Sequence, residues 1–362
     1  MTQTQHRLTE VRRLLEEKKL AALLIMQPEN RRYLSGFTGS AGMLLITPTR
    51  SFLSTDFRYW EQGAQQAPDF TVYQAKGGLK DYLPGLLAAA GNPPRIGFEN
   101  NTVTVGQYEE MQKAAPGVEW SGVDGLIENV RAVKDAAELA LTQKTIDLAE
   151  DGLRYLLSIM KPGMTEKQVA WELEVYLRTH GADALSFDTI VASGPNAALP
   201  HYHPGERVIQ VSEPITIDWG AAMDGYRSDL TRTIVLGEPD AKFREVYGVV
   251  LKAQLNAINN IKAGQTGKEA DAFARDVIVA AGYGDYFGHG LGHGVGLAIH
   301  EQPRASYTVE DERLPANSIL TVEPGIYLPG WGGVRIEDMI LVKDGQSEVL
   351  SHFEKLRVTS NE

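Results

Sequence analysis

A repeat inside the chain constrains its fold more than any other feature. Met160-Lys-Pro-Gly-Met-Thr-Glu-Lys-Gln-Val-Ala170 is matched, at an offset of 101, by Ile261-Lys-Ala-Gly-Gln-Thr-Gly-Lys-Glu-Ala-Asp271. In both copies a glycine (Gly163, Gly264) ends one helix. A threonine then caps the next with Gln or Glu three residues on, Thr165 with Gln168 and Thr266 with Glu269. Each second helix ends in glycine, Gly181 or Gly282. Downstream, Ile215-Thr-Ile-Asp218-Trp-Gly220 is echoed by Leu320-Thr-Val-Glu323-Pro-Gly325 at an offset of 105, and Ala198-Leu-Pro-His201 by Leu297-Ala-Ile-His300. Self-similarity of this kind fixes architecture. It predicts a duplicated α+β half: two helices, an extended segment carrying a His, then a hairpin carrying carboxylates. Two such halves would enclose a site. Chance similarity of two capped helix pairs is the weaker account, because caps, acids and His order all coincide.

At 362 residues the chain has room for about two domains, each with its own core. A formal charge of −12 argues against a nucleic-acid surface, which needs a basic face. Cysteine is absent, so disulfides, a thiolate nucleophile and Cys-ligated zinc are excluded. Any metal must therefore be held by His and carboxylate oxygens. Residues 1–17 are charged and helix-like, and the apolar run 20–26 lacks the flanks of a signal peptide. No stretch approaches membrane-spanning length. The expectation is a soluble, cytoplasmic protein with no membrane partner.

Residues 8–129 read as α/β. Leu8, Val11, Leu14 and Leu15 recur at helical spacing; 20–26 and 43–46 read as buried strands; strand 95–98 precedes helix 106–115. The stretch 33–42, Tyr-Leu-Ser-Gly-Phe-Thr-Gly-Ser-Ala-Gly, is either a lid or an ordinary connection, and the latter is favoured. Asp56 and Arg58 read first as a solvated ion pair. A helical pattern resumes at Asp135 and runs to Met160, which makes 122–131 the expected interdomain connection and divides the chain into 1–130 and 131–362.

The second part carries the chemistry. The stretch His289-Gly-Leu-Gly-His293-Gly-Val-Gly-Leu-Ala-Ile-His300-Glu301 holds three imidazoles and four glycines in thirteen residues, of only eight His in the chain. Neutral imidazole is a metal ligand and an acid/base group. In the expected hairpins, side-chain alternation puts Thr216 and Asp218 on one face, and Asp229, Thr231 and Thr233 on one face. In the second copy Thr321 and Glu323 share a face, as do Arg335 and Glu337. Asp224-Gly225 and the segment 329–333 supply the turns. Carboxylates inside apolar strands are costly unless paired or metal-bound. Four such acids with His293 make a set able to hold two divalent cations. The Gly264-Gln-Thr-Gly-Lys268 segment lacks P-loop spacing, and the glycines after His289 do not satisfy the dinucleotide fingerprint.

These motifs resemble the proline-specific metallopeptidases of the pita-bread superfamily, prolidase (Xaa-Pro dipeptidase) and aminopeptidase P. The stretch 289–301 matches that family's signature, Ser228-Asp-Leu-Thr-Arg-Thr233 and Val334-Arg-Ile-Glu-Asp338 look like its motifs, and 30–59 resembles its N-terminal domain. The resemblance implies a pita-bread catalytic domain with internal duplication, preceded by a smaller α/β N-terminal domain. It implies hydrolysis of the Xaa-Pro bond by a hydroxide bridging two divalent ions, manganese as first choice with cobalt or zinc as alternatives. Asp229 and Glu337 would bridge the ions, Asp218 would complete one shell, and His293 with Glu323 the other. Glu323 would carry the proton, His300 would stabilise the oxyanion, and His289 would help position substrate. His201 occupies the family's other active-site His position, and His203 matches nothing and is set aside as a loop histidine. Arg335 would either hold Glu337 and its neighbours or meet a substrate carboxylate. The implied partners are a proline-containing di- or oligopeptide and a second copy of the chain as homodimer.

Three other readings compete. Methionine aminopeptidase shares the ligand pattern but commonly lacks a domain resembling 8–129. Creatinase shares both domains but uses no metal, and the intact ligand set argues against it. A pita-bread binding protein with an unused site is the reading from another class. Dipeptidase and aminopeptidase differ in whether the carboxylate beside proline is clamped. Arg58 is the candidate cation, and the 33–42 loop the other candidate substrate contact, in the same subunit or a partner.

Overall fold

The computed structural model describes residues 2–355. The chain forms two compact units, 1–130 and 131–362. In the first, six strands run in the spatial order Thr71–Gln74, Ser51–Thr55, Met43–Ile46, Ala22–Ile25, Arg95–Glu99, Glu119–Val123. The pairs joining 22–25 to 43–46 and 43–46 to 51–55 are antiparallel, and the rest are parallel. The central strands are buried along their whole length, which is why they read as unbroken apolar runs rather than alternation. Helix Gln3–Glu17 is capped by Thr2 and buries Leu8, Val11 and Leu15, the apolar stripe its spacing predicts.

Two local stretches take definite form here. Tyr33, Leu34 and Ser35 are the last turn of helix Pro28–Ser35, which Gly36 ends at φ 76°. The remaining loop is tied down by Arg31, which donates to Gly39 O and Gly42 O at 2.6 Å each. It is an ordinary helix-to-strand connection. The boundary between the two units falls within 122–131, the expected interdomain connection, and that stretch is regular. It is the end of strand Glu119–Val123 and most of helix Leu126–Ala132, joined through Gly125 at φ 60°. Leu126 and Ile127 are buried and hold it in regular structure. Arg58 pairs with Asp56 at 2.8 Å on the surface, as the plain reading of that pair had it.

The second unit is built twice over. Helices Ala136–Ile159 and Glu166–Thr179 form the first pair, Ala241–Asn260 and Gly267–Ala280 the second. Thr165 and Thr266 make full capping boxes, and Gly163, Gly181, Gly264 and Gly282 all have positive φ. The repeat extends to tertiary bonds that no local signal carries. Gly163 N–H bonds Ile209 O and Gly264 N–H bonds Leu314 O; Glu166 N–H bonds Arg207 O and Gly267 N–H bonds Glu312 O. Each half packs its helix pair on its own strands: Leu153, Leu173, Leu177, Ile217 and Trp219 in one core, Tyr247, Val250, Ile278, Leu320 and Ile340 in the other. Burial of such side chains is worth roughly 1.5–3 kcal/mol each, which outweighs the weak intrinsic stability of the helices alone.

The acid-bearing strands pair within each half. Ile215–Trp219 pairs antiparallel with Leu230–Ile234, and Ile319–Val322 with Asp338–Leu341. Between them, each half inserts a smaller hairpin, Ala221–Met223 with Tyr226–Arg227 and Gly325–Leu328 with Gly332–Arg335. The first turns at Asp224 and Gly225, both with positive φ, as the Asp-Gly signal predicts. A bridge between Thr231 and Glu337 joins the two halves. Among the described residues no helix is long and apolar enough to cross a membrane.

Candidate active site

The duplication places the acids. Asp218 sits one residue from the end of Ile215–Trp219, and Asp229 immediately precedes Leu230–Ile234. Glu323 immediately follows Ile319–Val322, and Glu337 immediately precedes Asp338–Leu341. Each half therefore contributes one acid from each arm of a strand pair. Among the described residues, Asp218, Asp229 and Glu337 bring carboxylate oxygens within 4.8 Å of one another. His293 Nε2 lies 3.5 Å from Asp229 Oδ2 and 3.4 Å from Glu323 Oε1.

His293 donates Nδ1–H to Gly294 O at 3.1 Å, so the lone pair of the neutral ring is on Nε2 and points at the two carboxylates. Burial, then the neighbouring His300, holds this imidazole down at about 4, so it is neutral at ordinary pH and cannot neutralise the acids itself. Burial pushes Asp229 and Glu337 well above the carboxylate range, and the surrounding acids push further. Glu323 is pushed up to about 8 by burial, against Arg335 and with Asp218 adding to the rise. Asp218 Oδ2 accepts from Arg335 Nη2 at 2.6 Å, yet its Oδ1 is buried with no hydrogen-bond partner among the described residues. Crowded acids, an aimed nitrogen lone pair and an orphaned carboxylate oxygen are unfavourable together unless cations lie among them. The donor set fits hard or borderline divalent ions.

Supporting groups orient these side chains. Thr231 Oγ1 donates to Glu337 Oε2 at 2.7 Å, and Thr321 Oγ1 donates to Glu323 Oε1 at 3.2 Å while accepting the His293 N–H at 3.0 Å. Arg335 is buried and spends its other nitrogens on Thr231 Oγ1 (3.1 Å) and Tyr327 OH (2.9 Å). His289 donates Nδ1–H to Gly290 O at 2.8 Å and takes the Tyr327 hydroxyl on Nε2 at 2.9 Å. Burial, then Arg335, holds His289 down at about 4. Glu301 is gripped by Arg131 and by Lys134 at 2.7 Å; burial alone would raise its pKa, but Lys134 and then Arg131 pull it below the usual range. That grip anchors the chain just after His300.

Asp218, Asp229, His293, Glu323, Glu337 and Arg335 line one cavity of about 560 Å³. His201, His289 and His300 line it too. His300 is exposed and stands edge-on to His293 at 4.3 Å. His203 is an exposed loop histidine as read, but it also faces the cavity, which the sequence reading did not foresee. Tyr327 was missed altogether. The available signal was a tyrosine in a buried strand two residues after Gly325, between motif segments.

A family profile described as Metallopeptidase family M24 matches residues 140–344. The chain belongs to metallopeptidase family M24. A second profile, the Creatinase/Prolidase N-terminal domain, matches residues 7–133. The M24 chain is 36% identical to a Xaa-Pro dipeptidase of Pyrococcus horikoshii, over 94% of this chain and 95% of that one. It superposes on a Xaa-Pro dipeptidase from Bacillus anthracis with TM-score 0.94 and 41% identity, covering 98% and 99% of the two chains. An X-Pro aminopeptidase from Thermotoga maritima matches with TM-score 0.89 and 37% identity, covering 96% and 98%. The resemblance and the α+β pita-bread fold read from the sequence are borne out. Membership in M24 makes the chain a metallopeptidase and implies divalent metal ions.

Proposed function

We propose that the chain hydrolyses the bond between an N-terminal residue and proline, acting first on Xaa-Pro dipeptides. The observation that carries this reading is the His293 Nε2 lone pair aimed at Asp229 and Glu323 beside the orphaned Asp218 Oδ1. Relatives named Xaa-Pro dipeptidase support the substrate class. A cavity of about 560 Å³ suits a small ligand such as a short peptide. Asp218, Asp229, His293, Glu323 and Glu337 would hold two divalent ions, with manganese as first choice. Bound ions supply Lewis acidity toward the scissile carbonyl and acidify water at neutral pH.

The chain's own groups do the rest. Glu323 carries the proton from attacking water to the proline nitrogen. His300, neutral and exposed to the cavity, donates to the carbonyl oxygen as negative charge develops there. His201, which lines the same cavity, shares this task, and burial lowers the His300 pKa. His289 is committed to Gly290 and Tyr327, so it shapes the cavity through Tyr327. Arg335 orients Asp218 through its hydrogen bond to Oδ2. With Asp218, Tyr327 and Thr231 on its three nitrogens, it has little left for a substrate carboxylate.

The test is hydrolysis of Ala-Pro with manganese, with EDTA, and against Ala-Ala and Met-Ala. Turnover of Ala-Pro that EDTA abolishes, with Ala-Ala and Met-Ala much slower, is expected. Faster cleavage of Met-Ala would favour a methionine-aminopeptidase-like enzyme. The match to an X-Pro aminopeptidase carries a second reading, in which longer peptides are preferred. Comparing Ala-Pro with Ala-Pro-Ala in wild type and Arg58→Ala separates the two. Arg58 is the carboxylate clamp only if its loss harms the dipeptide selectively. A homodimer in the cytoplasm is the assembly this reading assigns, checked by mass in solution.

A further inference from the structure

Glu166 is fully buried, yet no step above uses it. It is the first residue of helix Glu166–Thr179, so the capping box of Thr165 fixes where its side chain starts. Its carboxylate accepts from both ends of one loop. Oε1 takes Ser193 N–H at 2.8 Å, Ser193 Oγ–H at 2.7 Å and Asn196 Nδ2 at 3.0 Å; Oε2 takes Gly205 N–H at 3.3 Å. Asn196 Nδ2 also donates to Tyr202 OH at 2.9 Å, and Arg207 Nη1 donates to Ser193 Oγ at 2.6 Å while pairing with Glu213. Between those ends lie His201, Tyr202 and His203, all on the cavity wall.

The repeat makes the asymmetry plain. At the equivalent position of the second half stands Gly267, where a Cβ would lie 2.2 Å from Arg304 O. There the partner segment is strand Glu301–Ala305 and packs directly on the helix start, needing no side chain to hold it. In the first half the corresponding stretch is the 3-10 turn Gly194–Ala198 followed by a loop to which no strand is assigned among the described residues. The other side of its base rests on bare backbone, since a Cβ on Gly333 would lie 2.1 Å from Ala197 O. A buried carboxylate is retained at a desolvation cost unless its acceptor sites are filled, and here four donors fill them.

We propose that Glu166 is a positioning residue: it clamps loop 194–205 and so sets His201, Tyr202 and His203 against the substrate. The inference rests on the functional reading above, which gives His201 its task. The test uses the manganese-loaded full chain with Glu166→Ala and Glu166→Gln. Hydrogen exchange by mass spectrometry should show loop 194–205 deprotected in Glu166→Ala, with helix Ala241–Asn260 unchanged. Manganese affinity should stay within about twofold, because metal-site groups lie off the loop, while kcat/KM on Ala-Pro falls about 10–100-fold from misplacement. In a His201→Ala background the same substitution should cost under about threefold, because the two act as a unit. Glu166→Gln keeps one acceptor oxygen and should recover much of the loss. It also carries the same measurements should the alanine variant fail to fold.

Unchanged loop exchange overturns the proposal, as does full additivity with His201→Ala or a loss of manganese affinity matching the loss of rate. Full activity in His201→Ala alone would instead sink the role given to His201, and loop exchange would still decide the clamp.

Discussion

At the scale of single residues, the proposed function separates groups that hold charge from groups that act on substrate. His293 is proposed as a ligand because its tautomer is fixed by Gly294 O and its Nε2 faces two acids. His293→Ala should lower manganese affinity by at least about tenfold, read by titration calorimetry. His300→Ala should leave affinity near wild type and lower kcat by about 100-fold or more. Full metal content in the His293 variant would contradict the assignment. Tyr327 links His289 to Arg335, and through Arg335 to Asp218. Tyr327→Phe removes only the hydroxyl and should reduce activity about tenfold with the fold intact, as expected for a group that orients ligands at one remove. Thr231 and Thr321 act in the same way and were readable from strand alternation. Tyr327 was not, because its partners lie on other segments of the chain.

At the scale of elements, repeated local devices set the geometry. The Thr165 and Thr266 capping boxes fix the helix starts of the two halves. Replacing either threonine by alanine should cost about 1 kcal/mol in urea-unfolding stability. The two losses should add, since the caps belong to separate halves with no shared partner. Strong non-additivity would mean the caps communicate. Gly292 shows a different constraint, because a Cβ there would lie 2.0 Å from Thr321 O. Gly292→Ala must therefore push strand Gly292–Gly294 away from the Thr321 hydroxyl that holds the His293 amide. Weaker manganese binding with little change in circular dichroism is the expected outcome. The Gly-rich character of this stretch thus reflects close backbone packing, as glycine permits.

At the scale of the whole molecule, the ion-free site opposes folding in a pH-dependent way. Glu323 is held at about 8 against an ordinary 4.5, so between those values the folded chain keeps a proton that the unfolded chain has released. Stability of the metal-free protein therefore falls as pH rises through that window. His289 and His293, held at about 4 against 6.5, act with the opposite sign, but only below 6.5. Above that value the acids act alone. In EDTA, Tm should be lower at pH 8 than at pH 6.5, and saturating manganese should shrink or reverse the difference, because ions bind the deprotonated set. A Tm in EDTA that rises from pH 6.5 to 8 would refute the account. Asp338 lies outside this window: burial alone would raise it, but Arg232 and then Lys355 bring it to about 2.

How much of this was legible beforehand follows from the range over which each interaction acts. Helix caps, the Asp-Gly turn, apolar runs and acid–threonine alternation are written within a few residues, so the duplication and the acid set could be read directly. Likewise the Gly/His stretch carried its chemistry in composition. The sequence left Arg335 with two readings, set His203 aside, and did not show that the connection 122–131 is regular strand and helix. The contacts that bear on these are made in space. Arg335 is committed to Asp218 across 117 positions of chain, and Leu126 and Ile127 are held by burial rather than by local pattern. The clamp by Glu166 belongs with them, its meaning visible only when Ser193 and Gly205 come together on one carboxylate. Local bonding fixes which groups a segment can offer, whereas long-range packing fixes which of them meet.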